Sequence, residues 1–485
     1  MWVRCKADLQ LVCPLQLPCG TLLDGALVWR GGGIVPVEPD VVVVGAGTAG
    51  AAVAALCAQR GLSVVCLDRR PLSESGARWL NGVPFAAFDV AGIARPDGAE
   101  LAGAGHGFQL VSGWQGPALK FVRETVPEVD MRLLVSRLQG MAADGGAELW
   151  GDCRLLSWES GPTGCLVETD RGQLCPEWVV DASGLAGARL LGQPVPAPRD
   201  ICAAAQQVRR LLDPRAGREF FERHGVEPGT TLSFAGVAGG FSVVNVWMAE
   251  DRVGLLTGSV VADGQPSGLQ LLERFAESKP WIGEPIFGGA RAIPLRRPLE
   301  RLCRGRAAAV GDAARQVFPA HGSGIGAGLV AAAVLAESLA DGDGVEGYNL
   351  RWQRRHGGVL AAWDLFRRHS QQLQPDQMAA MMKAGLLDQE SVLAAMEQRL
   401  PVPSLPGLLG KLVGALRQPA AVLKVAPVFA RMAAVIGLYS RYPEGAEAQL
   451  RWAGRLAGLF GEELDASWML HGPLTAAGSG DKSSL

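Results

Sequence analysis

The polarity pattern of the chain changes period several times, and the first change is the sharpest. Val41 to Val44 is an unbroken run of four β-branched residues, the pattern of a strand buried on both faces. Ala51 to Arg60 then carries apolar residues at helical spacing, Gly61 stands where a helix C-cap glycine would, and Leu62 to Leu67 returns to a buried strand ending at Asp68. Beyond it the pattern predicts extended stretches at Phe108 to Val111 and Leu119 to Val122, an amphipathic helix over Val129 to Ala142, and short strands at Glu148 to Trp150, Leu155 to Trp158, Leu166 to Glu168 and Trp178 to Val180. Alternating or apolar runs at Thr231 to Val237, Phe241 to Met248 and Val253 to Val260 predict a mostly antiparallel sheet between Ile201 and Arg297, with Phe234, Phe241 and Trp247 in its core. Gly289 to Pro298 leads back out of that sheet. From Gly344 to about Phe460 the period is helical throughout, punctuated by Pro401, Pro403, Pro406, Pro419 and Pro427.

The junction between the first strand and helix reads Gly45-Ala46-Gly47-Thr48-Ala49-Gly50, a Gly-x-Gly-x-x-Gly turn. In such a turn Gly45 makes the tight bend, Gly47 lets a pyrophosphate approach the backbone, and Gly50 lets helix and strand pack closely. The helix N-terminus at Thr48 and Ala49 presents free N–H groups and a positive dipole end to that pyrophosphate. Asp68, eighteen residues after Gly50, stands where an acid accepts hydrogen bonds from ribose hydroxyls, which fits FAD or NAD with an unphosphorylated ribose. The motif alone is weak; strand, turn, helix, second strand and terminal acid together specify a dinucleotide site.

Composition removes other classes. With 485 residues, 48% of them hydrophobic and 19% charged, the chain suffices for two or three buried cores. A formal net charge of −2 leaves no footprint for nucleic acid. No stretch has the length and apolarity of a membrane span, and Asp8, Pro14 and Pro18 interrupt any signal-peptide core, so a cytoplasmic protein is expected. The ten cysteines form no C-x-x-C pair and stand beside no histidine cluster, so no metal site is expected, and Cys57 and Cys66 read as buried thiols. The run from Gln398 to Pro443 holds no Asp or Glu, while Lys411, Arg417, Lys424, Arg431 and Arg441 are spaced through apolar sequence. That composition suits basic helices lying on an anionic membrane surface, and equally core-packed helices whose arginines reach outward.

Two more stretches narrow the cofactor. Val179-Val180-Asp181-Ala182-Ser183-Gly184 is a strand ending in Asp and a Ser-Gly turn. Ala309-Val310-Gly311-Asp312-Ala313-Ala314 is followed by Phe318-Pro319-Ala320-His321-Gly322-Ser323-Gly324-Ile325-Gly326-Ala327-Gly328 and an Ala-rich helix. With these, residues 40 to 340 resemble the FAD-dependent oxidoreductase superfamily of the para-hydroxybenzoate hydroxylase type, which holds aromatic hydroxylases, geranylgeranyl reductases and flavin-dependent halogenases. The resemblance implies an α/β fold, with a Rossmann-like FAD-binding domain of the glutathione-reductase type, an inserted antiparallel substrate sheet and a C-terminal helical region. The boundaries it suggests are an extension over 1–39, FAD-binding parts at 40–195 (interrupted at about 72–125) and 299–343, a substrate sheet at 196–298, helices at 344–470 and a disordered tail at 471–485.

By that resemblance Asp312 holds the ribityl chain, and Gly311, Gly322, Gly324 and Ile325 set a helix N-terminus at the flavin pyrimidine edge, where reduced flavin is anionic. Asp181, Gly184, Arg69 and Arg78 belong to the cofactor-binding set, Arg78 reaching toward the pyrophosphate. Arg132 is offered for the role of an arginine that in relatives directly follows Val-Asp; here Met131 intervenes. Pro319 lies beside the ring, and His321 and Ser323 are candidates for contact with flavin or substrate, His321 being equally readable as a structural residue.

Departures from the subfamilies bear on the reaction. The W-x-W-x-I-P signature of the halogenases is replaced by Gly239-Gly240-Phe241-Ser242-Val243-Val244-Asn245, and no lysine stands between Lys6 and Lys120. The cysteine that archaeal geranylgeranyl reductases carry after the ribose acid is missing from Ser73 to Gly82. Monooxygenation of a hydrophobic or bulky substrate through a flavin hydroperoxide, with NAD(P)H as transient donor, needs no acid–base triad and none is visible. The alternative is reduction of carbon–carbon double bonds in an isoprenoid or quinone-like lipid; a non-catalytic flavin-binding or membrane-recruited partner is a third class.

Overall fold

The computed structural model describes residues 21–23, 26–28, 38–102, 105–161, 163–402 and 419–470. Of the N-terminal segment 1–39, only a two-stranded antiparallel hairpin, Thr21–Leu23 with Ala26–Val28, and residues 38–39 are among them. The proposed tail at 471–485 and residues 403–418 of the basic run lie outside the described residues.

The all-valine run forms β1 (Val41–Val44), whose four side chains are buried, and α1 (Thr48–Ala58) follows without a loop of its own beyond the glycine turn. Apolar on every side, α1 can only be an interior helix. With β2 (Val64–Leu67), β3 (Glu148–Trp150), β4 (Trp178–Asp181), β5 (Cys303–Arg304) and β6 (Ala307–Ala309) the chain builds a six-stranded sheet in the order β5-β6-β4-β1-β2-β3. Pairing from β6 to β3 is parallel and β5 is antiparallel. The register aligns Val44 with Leu67 and Asp181, and Asp181 with Ala309, so the glycine turn and the turns after β4 and β6 emerge at one sheet end. That end, at the point where the order reverses, is where open α/β sheets bind ligands. α2 (Met131–Asp144), capped by the Asp130 carboxylate, and α3 (Ile325–Ala340) pack against α1.

The second sheet has seven strands, and two of its longest, Ile201–Leu211 and Ile282–Pro294, were not visible as alternating runs. Alanine and glycine fill them, so neither polarity period stands out. They pair with each other, and Ile282–Pro294 is an edge strand. Arg252–Ser259, Ser242–Met248 and Thr231–Ala235 continue the sheet antiparallel, and Gly107–Ser112 joins it in parallel, carrying Ala118–Val122. One face packs on Phe220, Phe221, Leu272 and Phe275 around Phe234, which is buried in this core as expected. Trp247 is buried on the opposite face, against Leu80 and Val208, while Phe241 is only partly buried.

The helices after α3 share the core of the first sheet: Tyr348, Trp352, Tyr439 and Trp452 belong to the same buried cluster as Val41 and Ala309. They are also pinned by charge. Arg367 bonds Asp200 at 2.9 Å and Asp364 at 2.5 Å, Arg297 bonds Glu300 at 2.9 Å and Glu462 at 2.8 Å, and Arg296 and Arg368 each reach Glu462 at 2.7 Å. The network joins the start and return of the second sheet to the helix Gly358–Ser370 and to the loop after the helix Ala446–Phe460. Among the described residues no helix is long and apolar enough to cross a membrane.

Candidate functional site

Each glycine of the turn is required by a neighbour. Gly45 has φ +107°, and a Cβ there would lie 2.6 Å from the Ala182 carbonyl oxygen. At Gly50 it would lie 1.8 Å from the Gly45 oxygen. At Gly47 it would meet Gly76 Cα at 3.1 Å, so the loop after β2 passes over the phosphate turn and leaves room only for bare backbone. Behind the turn, Gln139 of α2 donates to the carbonyls of Ala46 and Leu72 at 3.0 and 3.1 Å. No periodicity argument pointed to Gln139; it sits on an amphipathic helix like any surface glutamine.

α1 starts at Thr48 and α3 at Ile325, with Gly47 and Gly324 as N-caps; neither is capped by a side chain, and neither first turn holds an acid. The two helix starts meet the third motif at Ala49: a Cβ on Gly311, which has φ +70°, would lie 2.9 Å from the Ala49 Cβ, and one on Gly328 would lie 3.4 Å from it. The N-terminal turns of α1 and α3 therefore lie close together, each with the unsatisfied first N–H groups of a helix start.

The acids divide into two kinds. Asp68 is buried and accepts from Ala46 N at 3.0 Å and Arg70 N at 3.0 Å, leaving two of the roughly four lone-pair sites of a carboxylate open. Asp312 has no hydrogen bond from its carboxylate to the described residues; burial raises its pKa and nearby Arg291 opposes that rise. Asp181 is different. Fully buried, it accepts from Ser183 N, Ser183 Oγ and Leu190 N, so it holds the turn from β4 shut. Its part in the cofactor set is to shape the loop against which Gly45 packs, with Gly184 (φ +84°) at that loop's open side.

The arginines are dispersed. Arg69 is exposed, and Arg78, also exposed, donates to the Ser73 carbonyl at 2.7 Å on its own loop. Arg132 is held by Asp130 at 2.5 Å and lies over the Phe287 ring at 3.9 Å, so its fork is already occupied.

At the other end of the cleft Pro319 is buried, and Phe318 stacks on His321 with ring centroids 4.9 Å apart. The His321 residue keeps a solvent-facing side, but both ring nitrogens are engaged within the fold. Ser323 N donates to Nδ1 at 3.2 Å, and Nε2 pairs with the Ala395 carbonyl at 3.1 Å. That pairing makes Nε2 the protonated nitrogen of a neutral ring. Desolvation lowers its pKa to about 4, against its hydrogen bond to Ala395. His321 is thereby a tie between the loop and the helix Gln389–Met396, with no free nitrogen for catalysis. Ser323 Oγ, in contrast, is buried with no partner among the described residues. Gln398, at φ +58°, donates to the Ser323 carbonyl at 3.3 Å, and its Oε1 lies 2.9 Å from where Gly326 would carry a Cβ. The segment after Pro375 thus closes over the start of α3, an arrangement with no signal in the sequence.

Glycines a side chain would block, an acid with open lone pairs, an unpartnered carboxylate and an orphaned buried hydroxyl together fit FAD. Asp68 and the glycine turn would hold the adenosine diphosphate half, Asp312 the ribityl chain, and Ser323 with the α3 N-terminus the ring edge. Bound there, FAD supplies two-electron redox chemistry. Among the described residues no group of three or more His, Cys, Asp or Glu is placed to hold a metal.

The family model described as an NAD(P)-binding Rossmann-like domain matches residues 43–82. A digeranylgeranylglycerophospholipid reductase of Sulfolobus acidocaldarius is 24% identical over 446 residues, covering 85% of this chain and 95% of the relative. A menaquinone reductase of Mycolicibacterium smegmatis is 26% identical, over 64% of this chain and 79% of the relative. A crystal structure of a geranylgeranyl bacteriochlorophyll reductase-like protein from Thermoplasma acidophilum shares the fold with a TM-score of 0.63 at 20% identity, over 81% of this chain and 99% of that one. By these likenesses the chain resembles the FAD-dependent oxidoreductases of the para-hydroxybenzoate hydroxylase type.

Proposed function

We propose that this oxidoreductase reduces carbon–carbon double bonds in an isoprenoid or quinone-like lipid, taking electrons from a transiently bound NAD(P)H. The observation that carries this reading is the span of the match to the lipid reductase of Sulfolobus acidocaldarius, which reaches well beyond the nucleotide turn to most of both chains. The second sheet supports it. Register puts Ala204, Gln206 and Val208 on one face with Val243, Leu256, Asn245, Trp247 and Ser233. That face turns toward the cofactor domain, because Gln206 bonds the Leu80 backbone through both its amide atoms and Leu80 packs on Val208 and Trp247. Its middle is apolar with scattered neutral polar groups, Arg291 stands opposite Ala204 at its edge, and the Asn245 side-chain oxygen is buried with no partner among the described residues. Such a surface suits an alkenyl chain with one polar point of attachment. With both nitrogens of His321 tied down, the proton that accompanies the hydride is left to a water molecule, and the chain's own task is to hold the alkene against the ring and keep bulk water out.

One observation favours a second reading, monooxygenation: the loop Ser73 to Gly82 has no cysteine. The two separate by product. The protein, photoreduced without oxygen and given geranylgeranyl-bearing glycerophospholipid or menaquinone, is expected to yield a lipid richer by two hydrogens for each bond reduced, with oxidised flavin recovered in step. Products that gain an oxygen atom, formed only when air is admitted, would establish the second reading instead.

A further inference from the structure

The edge strand Ile282–Pro294 belongs to the second sheet, yet it approaches the nucleotide cleft. Side chains alternate along a strand, so Arg291, Ile293 and, one residue beyond its end, Leu295 project from one face. Contact identifies the face: Ile293 and Leu295 side-chain atoms lie 3.7 and 3.6 Å from the Cβ position of Gly322, in the loop before α3. Arg291 points the same way, and its Nη2 donates to the Gly76 carbonyl. Gly76 is the residue whose Cα limits the space over Gly47.

The charges around Arg291 locate it further. Its guanidinium is attracted by Asp312 and Asp68 and repelled by Arg70, and among the described residues no carboxylate lies within ion-pair distance of it. Asp68 marks the ribose end of the cleft and Asp312 the ribityl end. A dinucleotide places its pyrophosphate between those two groups, above the glycine turn. A fork with unused donors at that point is matched in geometry and charge to phosphate oxygens.

We propose that Arg291 binds the pyrophosphate of FAD, closing from the substrate side a site whose floor is Gly45 to Thr48. One strand then serves two ligands: Arg291 grips the cofactor while Ile293 and Leu295 back the loop beside the ring. Arg78, read from sequence for the pyrophosphate, donates to the Ser73 carbonyl of its own loop, and Arg132, read for holding FAD, is paired with Asp130. The inference rests on FAD binding and is indifferent to the reaction.

The test is titration of the full chain with FAD and, separately, with riboflavin, followed by flavin fluorescence at low and high salt. Loss of charge-assisted hydrogen bonds in R291A is expected to weaken FAD roughly ten- to a hundredfold. Riboflavin, which lacks the phosphates, should bind R291A and the native chain alike, and R291K should recover part of the FAD affinity. The native chain should also lose FAD affinity more steeply with salt than R291A. Unchanged FAD affinity in R291A, or an equal loss for riboflavin, would overturn the proposal. Because R291K keeps the charge and most of the side-chain stem, its position between the other two reads the same answer even if R291A folds poorly.

Discussion

Asp364 offers a demanding test of how the helical region is held to the cofactor layer. Its carboxylate is fully buried and accepts from Arg297 N at 2.9 Å, Arg367 Nη2 at 2.5 Å and Arg368 Nε at 3.2 Å. Burial alone would raise its pKa; Arg367, Arg368 and the Arg297 N–H outweigh burial and bring it from 3.8 down to about 2. In D364N one acceptor oxygen survives, but an NH₂ group is turned toward guanidinium donors and the cations lose their counter-charge. Breaking a buried pair on one side costs about 3–5 kcal/mol, and that is the expected loss in urea unfolding at pH 7. Part of it is titratable. Because the folded pKa lies below the unfolded one, the carboxylate's contribution is complete above pH 3.8 and disappears as the pH falls through 2, an amount of roughly 2 kcal/mol at 1.36 kcal/mol per pH unit. Native chain and D364N should therefore differ most at neutral pH and converge by about that amount near pH 2. Asp89, in an exposed pair with Arg95, is the control: D89N should leave both curves where they were. A D364N deficit below about 1 kcal/mol at pH 7, or one that does not change with pH, would refute the view that this network is a structural lock.

Two further outcomes are expected. In G50A the new methyl would overlap the Gly45 carbonyl oxygen, which is backbone and cannot yield, so the variant should lose stability and purify without flavin; G140A, with nothing within 4 Å and an exposed helical site, should gain up to about 1 kcal/mol and keep FAD. His321, neutral down to about pH 4, should contribute no inflection to the rate between pH 5 and 8, and H321Q should lose less than the hundredfold or so that removal of an acid–base group costs; a rate limb that vanishes in H321Q would contradict this.

The parts of the site that were legible in the sequence are those where one short stretch sets its own geometry. Val41 to Asp68 contains strand, turn, helix and acid within twenty-eight residues, and each glycine answers to a neighbour inside that unit or one turn away. The lock was not legible, because its members Asp200, Arg297, Asp364 and Glu462 are brought together only by the fold, and in sequence each looks like a solvated charge. Arg291 was hidden in a run of glycine and alanine that shows no strand period, and the inward bonding of Asp181 was not legible because a motif gives a residue's position and not the direction of its lone pairs.

The same distinction explains where the reaction is decided. The half proposed for adenosine diphosphate is built from backbone and Asp68, a set that serves cofactor binding whatever the reaction. The end proposed for the ring is built from three separate regions: the Pro319–Ser323 loop, the Ile293–Leu295 edge, and the segment bearing Ala395 and Gln398. Of these, only the last is absent from the cofactor and substrate layers, and it ties down His321 and sits over the α3 N-terminus at once. It takes the one ionisable side chain of the loop out of acid–base use and leaves Ser323 Oγ as its free polar group. A site so arranged would select by shape and by what it keeps dry, which fits the proposed reduction of an apolar alkene.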